Sequence, residues 1–89
     1  MISKDVNIIN KLGLHARAAA KLVELTKKYE SSITISKDGE KADAKSILGI
    51  LMLAASRGSC VTFEIDGPDE VSAIQSIEEL INNYFGEGE

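Results

Sequence analysis

The residues in this chain best suited to chemistry are a histidine and an arginine at the predicted start of a helix. His15 follows Gly13 and precedes an alanine-rich segment that begins at Ala16, and Arg17 comes two positions later. A helix N-terminus carries unpaired backbone N–H groups and a partial positive charge, so it favours anions. We therefore predict that the His15 imidazole accepts a phosphoryl group, which the Ala16 N–H and the Arg17 guanidinium hold.

The composition limits the class of protein. The 89 residues carry a net charge of −4 and are 44% hydrophobic and 27% charged, which is typical of one small globular domain spanning residues 1–89. Nucleic-acid binding is not expected, because it needs a clustered basic face. The longest apolar stretch, residues 47–55, is too short to insert across a membrane. Since the N-terminus also lacks a signal-peptide pattern, a cytoplasmic location is predicted.

Cys60 is the only cysteine, so an internal disulfide is excluded. No group at metal-ligand spacing surrounds it. Its neighbours Val61 and Phe63 are apolar, which predicts a half-buried strand cysteine rather than a reactive thiol. We expect neither a bound metal nor a cofactor.

Hydrophobic periodicity predicts seven elements in the order strand, helix, strand, strand, helix, strand, helix. The predicted strands are residues 5–8, 32–37, 40–42 and 60–66, and the predicted helices are residues 16–28, 46–55 and one that opens at 67–70 and ends near residue 86. Asp38-Gly39 marks a two-residue hairpin. Residues 86–89 are predicted to form a frayed tail.

These elements favour an α+β fold, in which a four-stranded antiparallel sheet carries three helices on one face. The other face of the sheet is expected to be polar, because the strands alternate between apolar and polar residues. The polar positions on that face are Asp5, Asn7, Thr34, Thr62 and Glu64.

The predicted helix that begins at Ser46 is the second informative segment. It has no charged residue before Arg57, and a helix that is apolar nearly all round is either fully buried or exposes an apolar side that binds a partner. A domain of this size can hardly bury every side, so we expect a docking patch for partner proteins that includes part of Ile47, Leu48, Leu51 and Met52. Ser46 itself is a suitable N-cap, and a phosphate there would be tolerated electrostatically.

Two motifs resemble those of a known family. Gly13-Leu14-His15-Ala16-Arg17 and Lys45-Ser46-Ile47-Leu48-Gly49-Ile50 are similar to the two signatures of HPr, the histidine-containing phosphocarrier of the sugar phosphotransferase system. The resemblance covers essentially the whole chain and implies the open-faced β-sandwich of that family. It also implies that His15 takes a phosphoryl group on Nδ1 from enzyme I, which phosphoenolpyruvate phosphorylates, and passes it to an EIIA-type acceptor. Arg17 would support the phosphoryl group, and the chain would be a carrier, not an enzyme with its own turnover.

The same resemblance bears on regulation and pathway. Ser46 matches the position that an ATP-dependent HPr kinase/phosphorylase modifies in many members, and the helix after it matches the family's apolar docking surface. Ala18 stands where most members have proline, and the run of three alanines is reminiscent of the nitrogen-related NPr branch. Both the sugar branch and the nitrogen-related branch therefore stay open. An alternative function also stays open: a regulatory adaptor, NPr-like or phosphorylated at Ser46, that binds partner proteins instead of serving sugar import. We expect a monomer.

Overall fold

The computed structural model describes residues 1–86 and has the predicted order of elements. The strands are β1 (Ile2–Asn7), β2 (Ser32–Lys37), β3 (Glu40–Asp43) and β4 (Cys60–Asp66), and the helices are α1 (Ala16–Thr26), α2 (Ile47–Met52) and α3 (Glu70–Asn82). A short 3-10 turn, Tyr84–Gly86, follows α3. The predicted frayed tail lies outside the described residues except for Gly86.

All four strands pair antiparallel in one sheet with the order β1-β4-β2-β3. On central β4, Val61, Phe63 and Ile65 are fully buried, because alternate residues of a strand point to the same face. The helices cover that face: α3 contacts β1 and β4, α2 contacts β3, and α1 packs against both other helices. The predicted α+β fold with three helices on one face of the sheet is confirmed.

The opposite face of the sheet is polar, as predicted. Asp5 and Asn7 are exposed and the other positions on this face are half-buried. The Thr62 hydroxyl donates to Asp5 Oδ1 at 2.6 Å, which joins β4 to β1. Among residues 1–86, no helix is both long and apolar enough to cross a membrane.

All three helices end before their predicted ends, α1 by two residues. Helix α2 ends at Met52, because Ala54 has a φ of 52° and leaves the helical region. Helix α3 ends at Asn82, and the following Tyr84 and Phe85 have φ values of 54° and 52°. The ends of α2 and α3 thus coincide with a left-handed backbone that hydrophobic periodicity does not signal.

Cys60 is exposed, so the prediction of a half-buried cysteine was wrong. Cys60 begins β4 on the polar face of the sheet, whereas its apolar neighbours Val61 and Phe63 point into the core. Successive residues of a strand face opposite ways, so apolar neighbours do not imply burial. Within the described part of the chain, no three His, Cys, Asp or Glu side chains are grouped so that they could hold a metal ion.

Asp69 ties the start of α3 to the connection between α1 and β2. Its carboxylate accepts hydrogen bonds from the Ser31 hydroxyl, from the Ser31 N–H at 3.0 Å and from the Glu30 N–H at 2.9 Å. Donors to the ionised form favour it. The Ser31 hydroxyl first, and the backbone N–H groups after it, therefore hold the pKa of the Asp69 carboxyl below its usual value of 3.8.

The Asp69→Asn variant is expected to lose less stability in acid than the natural chain does. The folded-state pKa of Asp69 is depressed, so its ionised carboxylate stabilises the fold at pH values above the usual pKa of 3.8. This contribution is lost as the pH falls through the folded-state pKa. Urea denaturation at pH values from about 6 to about 2 measures the free energy of unfolding, which should fall less steeply with pH in the variant than in the natural chain. Equal acid slopes for the two proteins would contradict this role of Asp69.

Candidate functional site

His15 is the N-cap residue of α1. Its backbone is extended, with φ −78° and ψ 179°, and its Nδ1 accepts a hydrogen bond from the Arg17 N–H at 3.3 Å. Short oxygen-bearing side chains usually fill this position, because they reach back to the first free N–H groups of the helix. Here an imidazole nitrogen does so, and the ring lies at the helix N-terminus, as predicted.

This hydrogen bond decides which nitrogen of His15 is nucleophilic. Since Nδ1 accepts from an N–H, its lone pair points toward the first turn of α1, and in the neutral ring the proton is on Nε2. The partial positive charge of the helix lies on the same side. A phosphoryl group on Nδ1 would therefore meet the N–H groups of Ala16 and Arg17, the environment that helix N-termini offer to anions.

Arg17 lies in the same first turn and is exposed. It takes part in no ion pair with another residue of the described range 1–86. A guanidinium presents its N–H donors in a planar fork that matches phosphate oxygens. Helix α1 thus brings a nucleophilic nitrogen, backbone donors and a cation to one end.

The loop before His15 is held by contacts that the sequence did not predict. The Leu14 N–H donates to the Ala55 carbonyl at 2.8 Å, and the Asn10 amide donates to the Gly13 carbonyl at 2.8 Å. Gly13 has a φ of 68°, and a Cβ on it would lie 2.6 Å from the Ala55 oxygen. The only signal in the sequence was Gly13 itself, because Ala55 lies some 40 residues further along the chain.

Ser46 is the N-cap of α2, as predicted. Its backbone is extended, with φ −117° and ψ 117°, and its Oγ accepts a hydrogen bond from the Gly49 N–H at 3.1 Å. Ser46 and His15 thus have equivalent positions on two different helices, which pack against each other.

The Ser46→Ala variant is expected to lower the free energy of unfolding by about 1 kcal/mol, because it removes the N-cap acceptor of the Gly49 N–H. Ser46→Asp should restore most of that stability, since aspartate is an equally good N-cap. Urea denaturation of the three proteins measures both effects. A loss in the aspartate variant equal to that in the alanine variant would show that the cap does not stabilise α2.

Helix α2 presents an apolar face to solvent, here called the α2 surface. It consists of Ile47, Leu48 and Met52, which are 42%, 69% and 73% exposed, and of the half-buried Leu51. Ile50 alone in this helix is fully buried, because six residues can turn only one narrow face to the core. Leu12, in the loop before His15, is 67% exposed and is an apolar surface residue that the sequence analysis missed.

Comparisons with known proteins identify the family. The family model PTS-HPr, described as the PTS HPr component phosphorylation site, matches residues 2–83. A phosphocarrier protein HPr of Cupriavidus necator is 55% identical over 89 residues, which are 100% of each chain.

Solved structures agree. HPr-C-His from Thermoanaerobacter tengcongensis has a TM-score of 0.94 and 44% sequence identity, and the match covers 98% of each chain. An HPr dimer from the same organism has a TM-score of 0.79 and 44% identity, and the match covers 98% of this chain and 100% of that one. This chain therefore belongs to the HPr family, the phosphocarrier proteins of the phosphotransferase system.

Proposed function

We propose that His15 is the residue that carries the phosphoryl group, taking it on Nδ1 from enzyme I and passing it to an EIIA-type acceptor. The observation that carries this proposal is the N-cap position of His15, with Nδ1 3.3 Å from the Arg17 N–H. His15 is also the only histidine in the chain. Membership of the phosphocarrier family supplies the class of reaction.

In the proposed transfer, the Nδ1 lone pair attacks phosphorus. A bond forms between Nδ1 and phosphorus while the bond from phosphorus to the donor group of enzyme I breaks, and its electron pair leaves with the donor. The proton on Nε2 stays in place. The Arg17 N–H, which donated to Nδ1 before the transfer, then donates to a phosphoryl oxygen. The Arg17 guanidinium balances part of the phosphoryl charge.

Transfer to the acceptor runs the same step in the opposite direction. The nucleophile of the EIIA-type protein attacks phosphorus, and Nδ1 leaves with the electron pair of its bond to phosphorus. The chain returns to its first state only when an acceptor has taken the group. We therefore propose a carrier without independent turnover, whose sugar or nitrogen-related pathway is set by the EIIA-type protein that it meets.

The test is incubation of the full chain with enzyme I and phosphoenolpyruvate, followed by mass spectrometry. We expect the mass of one phosphoryl group to be gained at His15, to be lost in acid as an N–P bond requires, and to move to an added EIIA-type protein. Sugar-type and nitrogen-type acceptors, compared side by side, assign the branch. A chain that stays unlabelled, or a label that maps away from His15, would overturn the proposal.

We also propose that partner proteins dock on the α2 surface. The support is physical: large apolar side chains exposed together on one short helix are more typical of a binding surface than of a free one. Because α2 packs against α1, a partner seated there approaches the helix that carries His15. Docking on α2 would thus help to present the partner's reacting group to Nδ1.

The Leu48→Asp and Met52→Asp variants are each expected to weaken binding to enzyme I by about tenfold or more, because each places a charge in an apolar contact. Their thermal stability should stay near that of the natural chain, since both side chains are largely exposed. Titration calorimetry measures the binding. Val71→Asp is the matched control, because Val71 is an apolar side chain of α3 that is 58% exposed; an equal loss in that variant would contradict docking on α2.

Ser46 is proposed as a regulatory site for an HPr kinase/phosphorylase. A phosphate on its Oγ would place negative charge next to Ile47 and Leu48, at the edge of the α2 surface, and would oppose docking there. Incubation with the kinase and ATP should give an acid-stable phosphate on Ser46, which is distinguishable from the acid-labile group on His15. An unmodified Ser46 would remove this part of the proposal.

Residues 1–89 are proposed to act as one cytoplasmic, monomeric domain. The support for one domain is the hydrophobic core that joins the sheet and all three helices. Light scattering over a range of concentrations tests the monomer, and a mass that rises with concentration would contradict it. Cell fractionation tests the location.

A further inference from the structure

Ala54 has a backbone conformation that L-residues with a side chain rarely adopt. It directly follows Leu53, the C-cap of α2, and has a φ of 52°. Glycine is the usual residue at this position after a helix, because a Cβ crowds the left-handed region. Strained backbone persists where the surrounding structure holds it, often near functional sites.

The left-handed turn at Ala54 sets the direction of the next carbonyl. The Ala55 carbonyl accepts the Leu14 N–H at 2.8 Å, and both residues are buried, which shields this bond from water. Gly13 lies against the same carbonyl, so closely that a Cβ there would be 2.6 Å from its oxygen. Two segments distant in the chain therefore meet backbone to backbone.

Leu14 is the residue immediately before the N-cap. The Nδ1 atom of His15 reaches the Arg17 N–H only if the N-cap backbone keeps its extended conformation. Because the Leu14 N–H is tied to Ala55, the position of His15 depends on where the Ala55 carbonyl points. That direction depends in turn on the backbone of Ala54.

We propose that Ala54 is a positioning residue for phosphoryl transfer at His15, acting through the Ala55 carbonyl and the Leu14 N–H. The proposal rests on the proposed function of His15. It also means that the C-terminal end of α2, the helix with the α2 surface, helps to position His15. A side chain that cannot adopt the left-handed conformation would move the carbonyl and misplace Nδ1.

The test uses Ala54→Val, which has a branched Cβ that excludes this conformation, beside Ala54→Gly and Ala54→Asn, which tolerate it. Phosphorylation by enzyme I should be slowed about tenfold or more in the valine variant and should stay near the natural rate in the other two. Hydrogen exchange read by NMR should show the Leu14 amide exchanging about tenfold faster in the valine variant. In the glycine variant this amide should exchange more slowly than in the natural chain.

Ile65→Val is the control for a general loss of stability, because Ile65 is buried near the C-terminal end of β4. It should leave the rate of phosphorylation unchanged. The proposal is overturned if folded Ala54→Val is phosphorylated at the natural rate, or if the Leu14 amide is unaffected. Should that variant not fold, the glycine variant still decides, since an unchanged Leu14 amide there would overturn the proposal. The exchange data do not depend on His15 chemistry, so they separate this failure from a failure of the proposed function.

Discussion

The His15→Ala variant is expected to take up no phosphoryl group from enzyme I, a loss in rate of at least about 10³-fold. The reason is that Nδ1 is the nucleophile in the proposed transfer: it is the nitrogen that faces the first turn of α1, and the chain has no second histidine. The remaining N–H groups and Arg17 can still attract a phosphoryl group, but nothing is left to form a bond with it. Radiolabel transfer from phosphoenolpyruvate measures the loss.

A second variant separates chemistry from structure. Alanine also removes the N-cap acceptor, which is expected to lower the free energy of unfolding by about 1 kcal/mol. His15→Asn keeps a good N-cap and so should restore stability without restoring phosphorylation. Labelling of either variant at the natural rate would show that His15 is not the phosphorylated residue.

The Gly13→Ala variant is expected to lower the free energy of unfolding by about 3 kcal/mol. Two effects add: a φ of 68° is disfavoured for alanine, and the new Cβ would lie 2.6 Å from the Ala55 oxygen and 2.7 Å from the Ser56 Cα. Both contacts are with backbone, so relief requires one segment to move, at a cost typical of overpacking. The rate of phosphorylation should fall as well, because the displaced loop carries His15.

Gly39→Ala is the matched control for Gly13. Gly39 has a φ of 85°, yet a Cβ on it would meet nothing within 4 Å, so only the conformational cost of about 1 kcal/mol applies. Chemical denaturation gives the free energy of unfolding of both variants, and the difference between their losses is the cost of the close approach to Ala55. Equal losses in the two variants would mean that the loop before His15 accommodates the methyl group.

The local part of the site was predictable from the sequence because its residues are consecutive. His15, Ala16 and Arg17 occupy one helix start, and the glycine before them together with the alanine-rich run after them predicts that start. The N-cap role of Ser46 was predictable for the same reason. Local chain order was enough to place these groups.

The contacts of Ala54 were not predictable in this way. Alanine has the highest helix propensity, so the sequence favoured a helix through Ala55, whereas the structure turns the chain at Ala54 to meet Leu14. That preference is overridden by a contact between distant segments. The error at Cys60 has another cause: Val61 and Phe63 face the core, and alternation along the strand places the residue next to them on the opposite, polar face.

The strand order has a consequence for how fast the chain folds. Strand β1 lies at the edge of the sheet and pairs with β4. Its partners lie 63 positions away at Ile2↔Ile65 and 53 at Asn7↔Cys60. Closing loops of that length costs about 3–4 kcal/mol of chain entropy before any contact is gained, so β1 is expected to join the sheet late. The segment with His15 runs from the end of β1 to α1. Competence for phosphorylation should therefore arise only with this last pairing, and its recovery during refolding would report the slowest structural step.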